Sequence, residues 1–244
     1  MFNERYNTGM EMFNLAHILV LIVFVLLLVP LFICKNKIAA SKRADLIFRM
    51  CIATLALVLE ITFHVWTYAT QGFDLIMLPF GLCAMTNILT IIALYGNFQK
   101  VFRITYYWAL TGGILSILFV DMTYMPPHFR FFHFFIIHYY FIVAALYFVG
   151  SGKTQLRLRD LFISFGIVSV VGLATFIAGF WIETDWLFVR TSAVESISNI
   201  MGFPWYTIFW AFAIFLIFAM WHFLTVGIFK LSNRKTKDCI PIKK

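Results

Sequence analysis

The sequence predicts an all-α, polytopic membrane protein with seven transmembrane helices. Of its 244 residues, 62% are hydrophobic and only 12% are charged, and the mean hydropathy of +0.90 excludes an ordinary soluble domain. Several apolar runs reach the ~20 residues that a helix needs to cross the hydrocarbon layer. No run alternates as membrane strands do, so the spans are helices. The predicted spans are 12–34, 46–70, 73–95, 101–120, 131–149, 161–181 and 204–229.

The distribution of charge predicts the orientation of these spans. Sixteen of the 19 lysines and arginines fall on one side of the predicted topology, leaving Arg5, Arg130 and Arg190 on the other. By the positive-inside rule, the N-terminus lies outside and the C-terminus is cytoplasmic. We therefore expect one membrane domain over 1–244, in a bacterial plasma membrane. Its basic tail at 230–244 is expected to contact anionic lipid, and the net charge of +8 does not indicate nucleic-acid binding.

Two spans carry polar side chains in their apolar surroundings. In span 2, Glu60 and His64 are four residues apart and share one helical face, so we expect them to pair. Such a pair either belongs to a functional site or only stabilises the packing of helices, and the sequence does not distinguish these two interpretations. In span 3, Asn87 is expected to hydrogen-bond to a neighbouring helix.

Span 3 also contains the sequence LPFGLC, which ends at Cys83. Pro79 removes a backbone donor and predicts a kink before Cys83, while Gly81 allows close approach. A cysteine in apolar surroundings is usually an inert small hydrophobe. A histidine at the same depth is needed to activate it. In span 4, Gly112 and Gly113 predict a close contact between helices.

Span 5 begins with a histidine-rich, aromatic stretch containing Arg130, His133 and His138. His133 and His138 are five residues apart, so they lie on different helical faces. At 1.5 Å per residue, His138 lies ~11 Å and Cys83 ~13 Å below the outer ends of their spans. Glu60 and His64 come at ~15 and ~9 Å by the same measure. We therefore expect a polar site in the outer half of the bilayer.

The residue types favour acyl transfer over metal chemistry. No HExxH or CxxC spacing is present, so no metal site is predicted, and no diffusible cofactor is implied. Cysteine with histidine suits nucleophilic catalysis, because the imidazole takes the thiol proton and the thiolate attacks. His138 is the expected base and Cys83 the nucleophile. Glu60, His64, Asn87, Arg130 and His133 are the expected substrate-binding residues.

Four sequence elements resemble bacterial YwaF-type integral membrane proteins: LPFGLC, YYWALTGGILSILF, DMTYMPPHFRFFHFFIIH and SNIMGFPWY. That family is related to a eukaryotic transmembrane acyltransferase that remodels ether phosphatidylethanolamine. The resemblance implies that Cys83 and His138 form the catalytic pair. At Gly81 this chain has glycine where the family usually has histidine.

The sequence thus predicts a lipid acyltransferase or transacylase, or a lipid acyl hydrolase, working from the outer leaflet. Its expected substrates are membrane phospholipids, with lysolipids or lipoproteins as acceptors. A loop at 182–203 is expected to cover the site. Two alternatives remain: a transporter or binding protein whose polar groups line a pathway, and a structural subunit in which Cys83 is replaceable. Transport requires a polar track through the cytoplasmic half, where the sequence shows little beyond Asn87.

Overall fold

The chain folds into a bundle of helices, confirming the all-α class. The computed structural model describes residues 9–73, 75–120, 122–182, 185–190, 200–202 and 204–238, and no strand occurs among them. Seven helices lie in these ranges: α1 (Leu15–Ala40), α2 (Lys42–Gln71), α3 (Leu82–Gly96), α4 (Gln99–Leu118), α5 (Phe129–Gly150), α6 (Leu158–Ala178) and α7 (Trp205–Asp238). The side chains of the expected basic tail at 230–244 lie outside the described residues.

Six of these seven helices are long and apolar enough to cross a membrane, so the protein is a multi-pass membrane protein. The exception is α3, with 15 residues. At 1.5 Å per residue it is about 22 Å long, which is less than the ~30 Å of hydrocarbon. The third predicted span, 73–95, therefore contains a shorter helix than expected.

The start of span 3 explains this short length. A 3₁₀ turn at Leu75–Met77 is followed by non-helical residues, and α3 begins at Leu82 with Gly81 as its N-cap. The kink expected at Pro79 is in fact a break, because proline lacks the N–H that would continue the helix. The first backbone hydrogen bond of α3 runs from the N–H of Met85 to the carbonyl of Gly81.

The centre of the bundle is formed by α4 and α5. Helix α5 packs against α1, α2, α3 and α4, and α4 also packs against α3, α6 and α7. In the most apolar 18-residue stretch of α5, 72% of the residues are buried, whereas in the corresponding stretch of α1 the buried share is 11%. Helix α5 is therefore the core of the protein, while most of α1 faces outwards to lipid.

The two glycines of α4 allow two helices to approach it closely. A Cβ at Gly112 would lie 3.6 Å from the Sγ of Cys83 on α3. A Cβ at Gly113 would lie 3.1 Å from the carbonyl oxygen of His138 and 3.0 Å from Ile142 on α5. The predicted close contact at this pair is confirmed, and each glycine faces a different helix.

We expect Gly113→Ala to destabilise the protein by about 1–3 kcal/mol, because the added methyl group meets a helix backbone that must move. Gly112→Ala is the matched control, since its methyl group fits at ordinary contact distance and alanine favours the helix. Thermal unfolding of both variants in detergent measures the difference. Equal midpoints for the two variants would contradict the packing described for Gly113.

Candidate functional site

Three helices meet at a hydrogen-bonded junction formed by Glu60, Asn87 and Tyr140. The Nδ2 of Asn87 donates to Oε2 of Glu60 at 2.6 Å. The hydroxyl of Tyr140 donates to the backbone oxygen of Asn87 at 3.0 Å and also to its side-chain Oδ1. Asn87 is only 1% exposed. This junction joins α2, α3 and α5, as expected for a polar residue that connects helices.

His64 extends the junction towards the linker between α2 and α3. Its Nδ1 lies 2.9 Å from the backbone oxygen of Glu60 and 3.6 Å from the Oε1 of the same residue. Its Nε2 lies 3.3 Å from the backbone oxygen of Met77. The predicted pairing of Glu60 with His64 is therefore confirmed.

Arg130 and His133 approach the same carboxylate from α5. The Nη1 of Arg130 lies 3.0 Å from Nδ1 of His133. Because a guanidinium can only donate, Nδ1 is an acceptor, and the Nε2 of His133 faces Oε2 of Glu60 at 3.8 Å. The guanidinium carbon lies 4.2 Å above the ring of Phe63, which is a cation–π contact. Five of the predicted site residues thus form one group, the outer network: Glu60, His64, Asn87, Arg130 and His133.

His138 points away from this network. Its Nδ1 donates to the backbone oxygen of Phe134 at 2.7 Å, so the basic lone pair is on Nε2. The imidazole packs against the rings of Phe134 and Phe141, with centroid distances of 4.4 and 5.5 Å. The residue is 7% exposed. The prediction that His133 and His138 lie on different faces of the helix is confirmed.

Cys83 is the second residue of α3, and no side chain caps the N-terminus of this helix. Its Sγ is 3.7 Å from the Oγ of Ser116 on α4. Glycine at the N-cap offers no side-chain acceptor. Within the described residues, the backbone N–H groups of Leu82, Cys83 and Ala84 donate no hydrogen bond. Such groups give a helix start a partial positive charge.

The structure brings Cys83 and His138 against neighbouring faces of the same turn of α4. The sulfur of Cys83 lies beside Gly112, and the carbonyl of His138 lies beside Gly113. No hydrogen bond joins the sulfur to the imidazole in the described part of the chain. Cys83 and His138 therefore lie beside adjacent glycines of α4, and in the described structure they are not a preformed hydrogen-bonded pair.

Residues 185–190 cover the start of α3. The indole N–H of Trp186 donates to the backbone oxygen of Leu75 at 3.2 Å, and its ring lies 5.4 Å from that of Phe80. The hydroxyl of Tyr206 on α7 donates to the backbone oxygen of Phe188, which holds the segment. This agrees with the cover expected at 182–203, of which 183–184, 191–199 and 203 lie outside the described residues.

Sequence reasoning missed a second polar group, the inner network, near the opposite end of α2 and α5. Asp45 accepts from Tyr147 and Lys153 at 2.5 Å each, and from Arg49 at 3.2 Å. Arg49 also donates to the backbone oxygen of Leu94 at 2.5 Å. The sequence predicts few polar groups beyond Asn87 in the half of the bundle away from the outer network, and this prediction is wrong. The spacing of Asp45 and Arg49, four residues apart, was the available signal.

The comparison with family models gives one match: the model of the TMEM164 family covers residues 12–224. The chain belongs to the TMEM164 family. Neither the comparison with curated proteins nor that with solved structures gives a match. In this TMEM164 family protein, Cys83, His138 and both polar networks lie inside the matched range, whereas the basic tail at 230–244 lies beyond it.

In this TMEM164 family protein, Asn87→Leu should destabilise the fold by about 3 kcal/mol, because the carboxylate of Glu60 and the hydroxyl of Tyr140 each lose a buried partner. Thr90→Val is the matched control on the same helix, since the buried hydroxyl of Thr90 makes no hydrogen bond in the described structure. Thermal unfolding measures both variants. A Thr90→Val loss as large as that of Asn87→Leu would show that the junction has no special role.

Proposed function

We propose that this protein transfers a fatty acyl chain between membrane lipids through a thioester on Cys83. The observation that carries the proposal is the position of Cys83, a thiol at the uncapped start of α3 whose sulfur lies against the turn of α4 that also borders His138. Membrane phospholipid is the acyl donor and a lysolipid the acceptor. Ether phosphatidylethanolamine, which the resemblance implies, is one substrate class to test.

The start of α3 supplies the electrostatics that a thiol nucleophile needs. The N–H groups of Leu82, Cys83 and Ala84 can stabilise a thiolate and then the oxyanion of a tetrahedral intermediate. In the described part of the chain they are free donors, because the helix breaks at Pro79 and restarts after a glycine. In a continuous helix each of these groups would donate to a carbonyl four residues earlier.

The proposed reaction has two steps. In the first, Nε2 of His138 takes the proton of Cys83, the thiolate adds to the ester carbonyl carbon, and the ester C–O bond breaks. The departing lysolipid oxygen takes the proton from His138, which leaves a thioester. In the second, the acceptor hydroxyl gives its proton to His138 and attacks the thioester. The C–S bond breaks, and the sulfur regains the proton from His138. Water as acceptor gives hydrolysis instead.

The outer network is the proposed binding site for the lipid headgroup. His64 has a 38% exposed side chain, and Arg130 is half-buried, so both can reach a substrate. The guanidinium suits a phosphate, for which it offers several donors in one plane. Glu60 contacts His64 and His133 contacts Arg130, so Glu60 and His133 hold these side chains in position. The buried Asn87 fixes the position of α3 relative to α2.

We also propose that α3 crosses the membrane together with the irregular segment before it, which gives seven crossings with the N-terminus outside the bacterial plasma membrane. Non-helical backbone is tolerated at membrane depth only where protein or a cavity surrounds it. Trp186 and His64 both bond to carbonyls of this segment, at Leu75 and Met77, which supports such surroundings.

The transport alternative gains one supporting observation, because the inner network supplies polar groups in the second half of the bundle. Between the two networks, however, α2 presents Ala53 and Ala56, which are 0% and 1% exposed. Closely packed alanines leave no room for a solute at that level. The arrangement therefore favours a site open to one side.

Single cysteines at Phe73 and Phe98 test whether α3 crosses the membrane, since these exposed residues flank α3. In a background without the four native cysteines, a membrane-impermeant maleimide should label Phe73→Cys on intact cells. Phe98→Cys should react only after permeabilisation. Labelling of both positions from one side would show that α3 does not cross, and the reverse pattern would invert the orientation.

The acyl transfer is tested by incubating the purified protein in nanodiscs with labelled diacyl or ether phosphatidylethanolamine. We expect mass spectrometry to find the acyl group on Cys83, and Cys83→Ala to abolish the transfer. His138→Ala should slow it at least about 100-fold, because it removes the base. Cys51→Ala, at an exposed cysteine on α2, is the matched control and should keep full activity. Unchanged transfer in both Cys83→Ala and His138→Ala would rule out this mechanism.

A further inference from the structure

We infer that Ser116 is a positioning residue for the nucleophile: its hydroxyl holds the sulfur of Cys83 against α4 and donates a hydrogen bond to it when the thiol loses its proton. The inference rests on the proposed function, in which Cys83 is the reacting group. Nothing in the sequence pattern singles out Ser116, which lies in an apolar stretch of span 4.

The geometry around the sulfur carries this inference. The Oγ of Ser116 lies 3.7 Å from Sγ of Cys83, and no other hydrogen-bond partner of this sulfur exists among the described residues. Ser116 and Gly112 are one helical turn apart, so both face α3. Gly112 leaves the space in which the sulfur lies, and Ser116 supplies the polar contact at its edge.

Several other hydroxyl groups in the described part of the bundle bond to their own helix, which Ser116 does not. A serine or threonine inside a helix commonly donates to the carbonyl four residues earlier. Among the described residues, five threonines do so: Thr62, Thr67, Thr70, Thr86 and Thr105. The hydroxyl of Ser116 has only Sγ as a partner within the described structure. Its orientation towards α3 therefore serves the contact with Cys83 rather than its own helix.

A hydroxyl is the group that this position requires. Either atom can be the donor while the thiol is neutral, because both S–H and O–H can donate and accept. A thiolate can only accept, so the hydroxyl rotates and donates to it, while the thiol proton goes to Nε2 of His138. Hydrogen bonds to charged groups are stronger than those between neutral groups. Ser116 thus lowers the cost of forming the thiolate without exchanging its own proton.

The reactivity of the thiol in the absence of lipid substrate tests this inference. The full-length protein in detergent is treated with N-ethylmaleimide, and modification of Cys83 is followed by mass spectrometry, with the exposed Cys51 as an internal reference. We expect Ser116→Ala to slow modification of Cys83 by about tenfold, the loss of one hydrogen bond to a charged acceptor. Ser116→Thr keeps a hydroxyl and should restore the rate to within about threefold of the original.

Ser164→Ala is the matched control, because this buried serine donates to the backbone oxygen of Ile104 and lies away from Cys83. It should leave the rate at Cys83 unchanged. Equal rates in Ser116→Ala and the unaltered protein, or a Ser116→Thr rate as slow as that of Ser116→Ala, would overturn the inference. Since maleimide modification requires no acyl donor, a slowed Ser116→Ala variant alongside absent acyl transfer would reject the proposed function alone.

Discussion

The hydrogen bond between the carboxylate of Glu60 and the amide of Asn87 is the constraint on which the site depends. A carboxylate inside an apolar bundle is tolerated only when other groups satisfy it, and here those groups come from α3 and α5 as well as from α2. Any sliding or rotation of α3 would break these bonds. Because Cys83 lies one turn from Asn87 on the same helix, its position is fixed by the same contacts.

Much of this could be predicted from the sequence, because it depends on local spacing. Glu60 and His64 pair through a separation of four residues, and His133 and His138 diverge through a separation of five. Most of the spans follow from hydropathy. What spacing cannot give is the rotation of each helix about its axis, which decides which faces meet. The partners Tyr140 and Ser116, and the whole inner network, depend on that rotation and were missed.

The non-helical segment before α3 is another feature that hydropathy does not predict. The sequence predicts that Cys83 lies within a kinked helix, where its thiol would be inert without a histidine at the same depth. In the structure the same residue lies two positions after a glycine N-cap, and the backbone N–H groups beside it have no acceptor among the described residues. The position at which the helix begins therefore changes the chemistry that is open to the sulfur.

The separation of the two polar networks favours the proposed enzyme over the transport alternative. Each network holds charged groups that bind helices together near one side of the bundle, and a closely packed section of α2 with Ala53 and Ala56 lies between them. A transported solute would need polar partners along its whole route, since an unpaired polar group in an apolar interior is costly. An acyl chain needs none, and its ester group would enter only as far as Cys83. The proposed site, which opens to one leaflet and is closed beneath by apolar packing, would meet both requirements.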